Sequence, residues 1–441
     1  MVKDFNNFQD RSGNFLTSTP LAKSLFFARG SGWRRHRQIV SPTFTTAKLK
    51  QIATLVDISA QSLSRYLGQS ARQGAVVPMK EICGQYTCEI IARTAFGFKV
   101  DCIGVDDEFY NNAKNLLYLS RKTISQLLRL IPFIPQLCVK VFKLQIYDRV
   151  NLKSHRYFDT VLKSAIKERR IHRQSGIRKA TPDFLDLLLK TNEASQSGQV
   201  NRDEVDVADS TTDAEGQPVE GLTDEEILGH SMLVIFAGLE STASTLHVCL
   251  YELALNPDIQ ERVYQEMQEV LKSDCPSYEE LSKLTYMEQV INETLRLYPP
   301  LLSINRLAKE SVTYNGITIP KGATVMIPLF HILTDPNIYP DPNQFDPDRF
   351  SPEEREKRHP LAFMPFGHGP RMCLGMRLAY LELKQGLVQV LRKLRVVLNE
   401  DTTPRKGEGK IKTIALEILV MERPIRLAFQ VREQTVTGVP E

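Results

Sequence analysis

Hydrophobic residues recur at helical spacing along much of the chain. Two such stripes, one ended by Gly68 and one ended near Gly97, predict amphipathic helices. A third pattern begins at a capping box formed by Thr223 and Glu226 and runs to Asn256. The centre of this third helix is apolar on nearly every side, so we expect it to be buried all round.

Alternation with a period of two is confined to short stretches near the C-terminal end. Residues 311–327 alternate in this way around Asn315-Gly316, a dipeptide typical of hairpin turns. Residues 411–420 and 424–431 also have the character of strands. The pattern therefore predicts a mainly α protein with small β-sheets.

Four residues interrupt the apolar centre of the long helix: Gly238, Glu240, Ser241 and Thr242. A glycine, a carboxylate and two hydroxyls cost stability in a buried helix unless something uses them. The alternative is a bent helix whose acid is satisfied locally.

Two segments break the helical pattern. Residues 124–144 are apolar, carry scattered cations and contain Pro132 and Pro135, which exclude one straight helix. This segment could lie on a membrane surface or cover the core as a buried loop. Residues 191–222 hold eight acidic residues and one basic residue, which predicts a mobile surface loop rather than a domain boundary.

Composition excludes several classes of protein. The chain has 441 residues, of which 42% are hydrophobic and 24% charged, so it can bury a substantial core. Its net charge of +4 is too small to indicate nucleic-acid binding. The seven cysteines include no CxxC pair, which favours a reducing compartment over a zinc site or a disulfide framework. No signal peptide or apolar stretch of about 20 residues is visible.

One stretch, FGHGPRMCLG at 366–375, combines a cysteine with glycines, a proline and an arginine. We expect Gly367, Gly369 and Gly375 to adopt positive φ and to pass close to a bulky group. Cys373 precedes a helix, whose N-terminal dipole, together with Arg371, should favour the thiolate. Such a loop suits an axial ligand of heme iron. A buried free cysteine in a turn is the equally weighted alternative.

Two further pairs share a helical face. Trp33 and Arg37 are four residues apart and could reach an anionic group such as a heme propionate, although a solvated basic helix fits them as well. Glu293 and Arg296 are three residues apart and could form a salt bridge before Pro299.

Taken together, these residues resemble the cytochrome P450 superfamily of heme-thiolate monooxygenases over nearly the whole chain. The cysteine-loop signature is matched at every defined position. Four other family motifs precede it along the chain in the expected order. The matching residues are Phe366, Gly369, Arg371, Cys373 and Gly375; Glu293 and Arg296; Pro347 to Phe350 with Arg349; Trp33 and Arg37; and Ala237 to Thr242. The closest likeness is to the animal microsomal steroid- and drug-oxidising family and to thromboxane synthases.

The resemblance implies a single heme-thiolate monooxygenase domain over residues 1–441 with heme b as cofactor. Cys373 would be the proximal ligand of the iron. The propionates would be held by Trp33, Arg37, Arg306 and Arg371. Gly238 would let the helix backbone approach the oxygen molecule, and Glu240 and Ser241, with Thr242 as a poorer substitute, would deliver protons.

The implied partners are NADPH-cytochrome P450 reductase and an apolar small-molecule substrate, without nucleic acid. Arg34, Arg35, Arg377 and Lys384 are candidates for the reductase-docking surface. The implied location is the endoplasmic reticulum membrane, on its cytoplasmic face, with peripheral membrane contact by the chain.

Two departures from the family pattern leave alternatives open. The family's membrane anchor, first helices and leading sheet strands have no counterpart in the sequence, so we expect either a fragment or incomplete gene product, or a sheet that closes differently. Ser241 also replaces the usual threonine, and it lacks the methyl group that restricts the rotamer. The alternatives are an endoperoxide isomerase of the thromboxane synthase kind and a heme-binding protein without turnover.

Overall fold

The computed structural model describes residues 2–11, 20–116, 152–176, 182–196, 220–415 and 419–432. Within these residues the α-helices are α1 Gly30–Val40, α2 Thr46–Arg72, α3 Met79–Phe96, α4 Glu108–Leu116, α5 Leu152–Gln174, α6 Phe184–Gln196, α7 Asp224–Leu255, α8 Pro257–Val270, α9 Tyr278–Ser282, α10 Thr285–Leu297, α11 Leu329–Leu333, α12 Pro352–Glu356 and α13 Met376–Leu391. The predicted membrane-surface segment 124–144 lies outside the described residues.

Helix α7 is the long helix predicted from its capping box. Thr223 accepts a hydrogen bond from the backbone N–H of Glu226, and the Glu226 side chain accepts one from the N–H of Thr223. Asn256 ends the helix and Pro257 begins α8, as the pattern predicts. The sequence fits a membrane span by length and composition, but more than half of its apolar window is buried inside the protein.

Two hydrophobic clusters meet along α7. One contains residues of α2, α3, α10 and α13 together with the C-terminal half of α7. The other contains residues of α1, α3, α4, α5 and α6 together with its N-terminal half. Because α3 and α7 contribute to both clusters, these two helices connect the two parts of the core.

The prediction that α7 is buried all round is wrong for one stripe. Leu233, Ala237, Ser241 and Ser244 are accessible to solvent, while the residues on the other sides of the helix are mostly buried. These four positions follow the spacing of one helical face. The middle of the helix is therefore accessible along this stripe, and Val234, Phe236, Gly238 and Glu240 beside it are partly accessible as well.

The first amphipathic stripe continues further than predicted. Gly68 does not end α2, which reaches Arg72, because Gly68 is buried and lies beside Leu394. Packing of the following turn outweighs the weak helix propensity of one glycine. In the second stripe, Gly97 ends α3 with φ of 66°, as predicted.

The strands form small antiparallel sheets. They are β1 Val77–Pro78, β2 Ile304–Leu307, β3 Val312–Tyr314, β4 Ile317–Ile319, β5 Thr324–Ile327, β6 Leu394–Val397, β7 Thr413–Ala415, β8 Leu419–Met421 and β9 Arg426–Val431. The sheet orders are β1-β9-β6, β2-β5, β3-β4 and β7-β8. The predicted Asn315-Gly316 turn joins β3 to β4 with positive φ at both residues.

An N-terminal segment lies beside β2 rather than forming a strand of its own. The backbone N–H of Leu307 donates to the carbonyl of Asp10 at 2.8 Å, and that of Lys309 donates to the carbonyl of Asn7 at 3.0 Å. This contact places residues 7–10 next to the strand that carries Arg306.

The acidic segment 191–222 is only partly a loop. Residues 191–196 are the last turns of α6, and the Asn192 side chain donates to the Leu222 carbonyl at 3.2 Å. Both ends of the segment are thereby fixed to the body of the protein. Residues 197–219 lie outside the described part of the chain, so the predicted mobile loop is not tested there.

Helix α10 contains a buried ion pair. Glu293 and Arg296 are both fully buried and form two hydrogen bonds, at 2.7 and 2.8 Å. Arg296 also donates to the carbonyls of Leu333 and Pro342, and Arg349 lies 3.6 Å from Glu293. The predicted salt bridge is confirmed, and it fixes the segment that leads into the cysteine loop.

Arg296→Met is expected to lower the free energy of unfolding by about 3–5 kcal/mol, because it leaves the Glu293 carboxylate buried without its partner. Urea unfolding followed by circular dichroism measures this loss. Lys321→Met is the matched control, since Lys321 and Glu310 form an exposed pair, which contributes about 0–1 kcal/mol. Equal losses in the two variants would contradict a special role for the buried pair.

Candidate functional site

The loop that presents Cys373 is held by its own backbone. The N–H of Cys373 donates to the carbonyl of Phe366, and that of Met372 donates to the carbonyl of Gly369, both at 2.9 Å. Gly367 and Gly369 have φ of 77°, as predicted. Gly375 does not: its φ is −84°, because it is the N-cap of α13. The ring of Phe366 packs 5.4 Å from that of Tyr380, which ties the loop to this helix.

The environment of the thiol differs in part from the expectation. Cys373 is exposed as a residue, yet the protein atoms around its sulfur raise the pKa of the thiol by desolvation. The backbone N–H of Gly375 and the guanidinium groups of Arg37 and Arg11 act against this rise in pKa. The cations that favour the thiolate are therefore Arg37 and Arg11, and not Arg371 as predicted.

Arg371 is buried and directed away from the thiol. Its guanidinium donates to the backbone carbonyls of Gln9 at 3.0 Å and Ala28 at 2.8 Å. It also lies 4.4 Å from the centroid of the Trp33 ring, which is itself buried. Arg371 thus fixes the N-terminal segment and α1 against the cysteine loop.

Four guanidinium groups lie near one another and repel one another, and two of them, Arg11 and Arg37, act on the thiol. Burial, followed by Arg306 and then Arg37, lowers the pKa of Arg11 to about 10. Burial, and then Arg11, Arg306 and Arg37, lowers the pKa of Arg371 to about 9, although Asp10 raises it. We call Arg11, Arg37, Arg306 and Arg371 the arginine cluster; all four remain charged at neutral pH.

The arginine cluster fits the anionic edge of a heme. Asp10 lies 3.6 Å from Arg371, but one carboxylate does not neutralise four guanidinium groups. Arg37 is fixed toward the loop by a hydrogen bond to the carbonyl of Met372 at 3.1 Å. Two propionates next to a cysteine ligand would relieve the repulsion through charge-assisted hydrogen bonds. The residues present therefore suit heme b.

Ser241 lies on the accessible stripe of α7. Its hydroxyl donates to the carbonyl of Ala237, one turn earlier, at 2.8 Å. Such back-bonding fixes the rotamer of a helical serine and leaves its oxygen free to accept a hydrogen bond. The structure thus gives Ser241 one definite orientation even without the methyl group of a threonine.

Gly238 and Glu240 each contact α3, and both remain partly accessible to solvent. A Cβ on Gly238 would lie 3.1 Å from the side chain of Ile91, so the glycine permits close packing of the two helices. The Glu240 carboxylate lies 2.9 Å from the ammonium group of Lys80 on α3. The predicted role of Gly238 beside oxygen stays a prediction.

Thr242 points in a third direction, into the core. It is buried and hydrogen-bonds to Glu382 of α13, nine residues after Cys373. Burial raises the pKa of Glu382 to about 8, and the bond to Thr242 acts against this rise. This contact joins α7 to the helix that follows the cysteine loop, and it turns Thr242 away from the accessible stripe.

Two of the four predicted docking cations do not lie free at the surface. Lys384 is buried and binds the Leu281 carbonyl at 3.0 Å and Glu288 at 2.8 Å. Arg35 binds Glu226 and the Gly221 carbonyl. Arg34 and Arg377 are exposed and remain candidates for a docking surface.

Sequence reasoning missed Arg11, Lys80 and Glu382. Arg11 follows Asp10 in a polar segment without a motif, and nothing in its spacing relates it to Cys373. Lys80 and Glu382 occupy ordinary helical positions. All three are identified only by tertiary contacts. Arg11 acts on the thiol of Cys373, Lys80 pairs with Glu240, and Glu382 is hydrogen-bonded to Thr242.

Comparison with known proteins agrees with this geometry. The cytochrome P450 family model matches residues 1–429. The chain belongs to the cytochrome P450 family. It is 32% identical to cytochrome P450 3A41 of Mus musculus over 424 residues, covering 95% of this chain and 77% of that protein. It is likewise 32% identical to lithocholate 6-beta-hydroxylase of Mesocricetus auratus over 446 residues, covering 99% and 81%.

Membership of the cytochrome P450 family confirms several of the predictions made from the sequence. The protein is a heme-thiolate monooxygenase with an apolar small-molecule substrate, and it takes electrons from NADPH-cytochrome P450 reductase. It belongs with microsomal enzymes of the endoplasmic reticulum membrane that face the cytoplasm. The mainly α fold with small sheets is confirmed as the cytochrome P450 fold.

Glu382→Gln is expected to change the pH dependence of stability. Because folding raises the pKa of Glu382 from 4.5 to about 8, the folded protein keeps a proton that the unfolded chain has released. Wild-type stability should therefore fall, relative to the variant, as pH rises between these values, by up to about 1.4 kcal/mol per pH unit. Urea unfolding at several pH values measures this.

The difference between the two proteins well below pH 4.5 supplies the internal control, since both side chains are then largely neutral in either state. A difference that stays constant up to pH 8 would contradict a buried, protonated Glu382.

Proposed function

We propose that Cys373 is the axial ligand of the heme iron in this monooxygenase and that the arginine cluster holds the two propionates. The observation that carries the proposal is a group of four mutually repelling guanidinium groups, two of which, Arg11 and Arg37, act directly on the thiol of the accessible Cys373. Trp33 contacts the arginine cluster through Arg371, whose guanidinium packs against the Trp33 ring.

The thiolate-bound heme supplies reductive activation of oxygen and transfer of one oxygen atom to the substrate. The chain supplies ligation, charge and protons. Arg11 and Arg37 lower the cost of a negative charge on the sulfur of Cys373. Ser241, oriented by its bond to Ala237, can accept and pass on a proton, and Glu240 is the nearest carboxyl group along α7.

We propose a steroid, another lipid or a xenobiotic as the substrate. The stripe of α7 that would line its site offers small or apolar side chains at Leu233 and Ala237, and hydroxyls at Ser241 and Ser244. Such a surface suits an apolar molecule that must be oriented rather than bound by charge. The name of the Mesocricetus auratus relative refers to a bile acid, which makes lithocholate a sensible first probe.

We further propose that residues 1–441 form one domain. The two hydrophobic clusters share α3 and α7, so neither has a core of its own. Units that share their central helices are expected to unfold together.

Cys373→Ala is expected to abolish the red-shifted Soret band that the reduced protein gives with carbon monoxide, because that band requires a thiolate ligand. Absorption spectroscopy of the purified holoprotein measures it. Cys275→Ser is the control, since Cys275 is also an exposed cysteine but belongs to another region. A band that survives in Cys373→Ala would show that the ligand has been misassigned.

Arg37→Gln is expected to release heme about tenfold faster, because a hydrogen bond to a charged group contributes roughly 1.5–3 kcal/mol. Transfer of heme to excess apomyoglobin measures the rate. Arg34→Gln is the matched control, as Arg34 lies on the same helix but is exposed and binds Asn6 at 2.6 Å. Equal release rates for the two variants would argue against Arg37 as a propionate ligand.

A further inference from the structure

Glu240 does not stand alone on α7. Its carboxylate oxygen lies 2.9 Å from the ammonium nitrogen of Lys80, in the first turn of α3. The Lys80 side chain is 61% exposed and that of Glu240 is 32% exposed, so both reach solvent. An acid in the middle of the long core helix is thus in contact with water at its tip and with a cation beside it.

The packing of α3 against α7 fixes this pair. The Thr87 hydroxyl of α3 donates to the carbonyl of Leu239 at 3.0 Å, and Ile91 fills the space beside Gly238. Three successive residues of α7, from Gly238 to Glu240, therefore contact α3. The carboxylate is held on the flank of the accessible stripe, one residue before Ser241.

Other charged and polar groups near the pair do not replace Lys80. His247 lies two turns along α7. Burial, with a smaller contribution from the Lys80 charge, lowers its pKa to about 4, so the ring is neutral near pH 7. Tyr110 of α4 donates its hydroxyl to the carbonyl of Glu81. Burial raises the pKa of Tyr110, with smaller contributions from Glu81 and Glu240, so it too is neutral. Lys80 is thus the cation that faces Glu240 among these groups.

We propose that Lys80 is a positioning residue for proton delivery: it holds the Glu240 carboxylate between bulk water and Ser241. The inference rests on the proposed role of Glu240. Monooxygenation consumes two protons for each oxygen molecule reduced, with one oxygen atom leaving as water. Each proton would pass from solvent to the Glu240 carboxylate and from the resulting acid to the Ser241 oxygen, while the Ser241 hydroxyl releases its own proton toward the oxygen being reduced. The two electrons come from NADPH through the reductase.

A contribution to stability alone does not account for this pair. Ion pairs as exposed as Lys80 and Glu240 contribute little to folding, on the order of 0–1 kcal/mol. By contrast, a positioned acid contributes roughly 100- to 10,000-fold to a proton transfer. Loss of Lys80 should therefore be visible in proton delivery and nearly invisible in folding.

The pair itself can be tested without turnover. A water-soluble carbodiimide joins a carboxylate to an amine in direct contact, so treatment of the holoprotein should link Glu240 to Lys80. Mass spectrometry of the digested protein detects the joined peptides. The link should be absent from Glu240→Gln; absence from the wild type as well would overturn the proposal.

The functional test uses the holoprotein with NADPH, its reductase and lithocholate as the probe. Lys80→Gln is expected to raise the hydrogen peroxide released per NADPH about tenfold, because misdirected protons release reduced oxygen before it is used. The apparent KM for lithocholate should not change, and Lys80→Arg should restore the wild-type ratio. Lys163→Gln is the matched control, since Lys163 forms an equally exposed pair with Asp159 at 2.8 Å on α5.

The outcomes separate this inference from the proposal on which it rests. If Glu240→Gln raises the peroxide ratio but Lys80→Gln behaves like Lys163→Gln, only the role of Lys80 is wrong. If Glu240→Gln has no effect, the acid role of Glu240 fails and the inference fails with it. Neither result touches the assignment of Cys373, which the carbon monoxide spectrum tests separately.

Discussion

The concentration of positive charge beside one sulfur is the constraint on which the rest of the site depends. Placing four guanidinium groups near one another, two of them buried, is unfavourable without anions to match them. The chain holds them there at high structural cost: Arg371 is bound by backbone carbonyls from residues 9–28, and Arg306 lies on a strand flanked by the N-terminal segment. The two carboxylates at the edge of a heme would relieve the repulsion among these positive charges.

The second requirement is a surface that can line the substrate site, and α7 offers one because its sides differ. Its buried sides belong to both hydrophobic clusters, which makes the helix rigid. Its open stripe carries small and hydroxylic residues that leave room for ligands. Rigidity and access thus occur in one helix because they lie on different faces of it.

Contacts that lie within a motif could be predicted from the sequence, whereas contacts between motifs could not. Glu293 and Arg296 form their predicted pair because three-residue spacing already places them on one face. The accessible stripe of α7 could not be predicted, because an apolar sequence does not reveal whether a neighbouring surface is protein or an open site. Arg11 and Glu382 depend on segments that meet only after folding, and Gly375 has ordinary φ because capping α13 takes precedence over the turn.

In the polar centre of α7, helical geometry directs adjacent side chains toward different surroundings. Successive side chains differ by about 100° around the axis, so Glu240, Ser241 and Thr242 cannot face one place. Glu240 meets Lys80 on α3, Ser241 lies on the open stripe, and Thr242 binds Glu382 in the core. A threonine next to the serine is therefore no substitute for it, although both carry hydroxyls. The direction in which a group points, rather than its identity, excludes Thr242 from proton delivery and leaves Glu240 and Ser241.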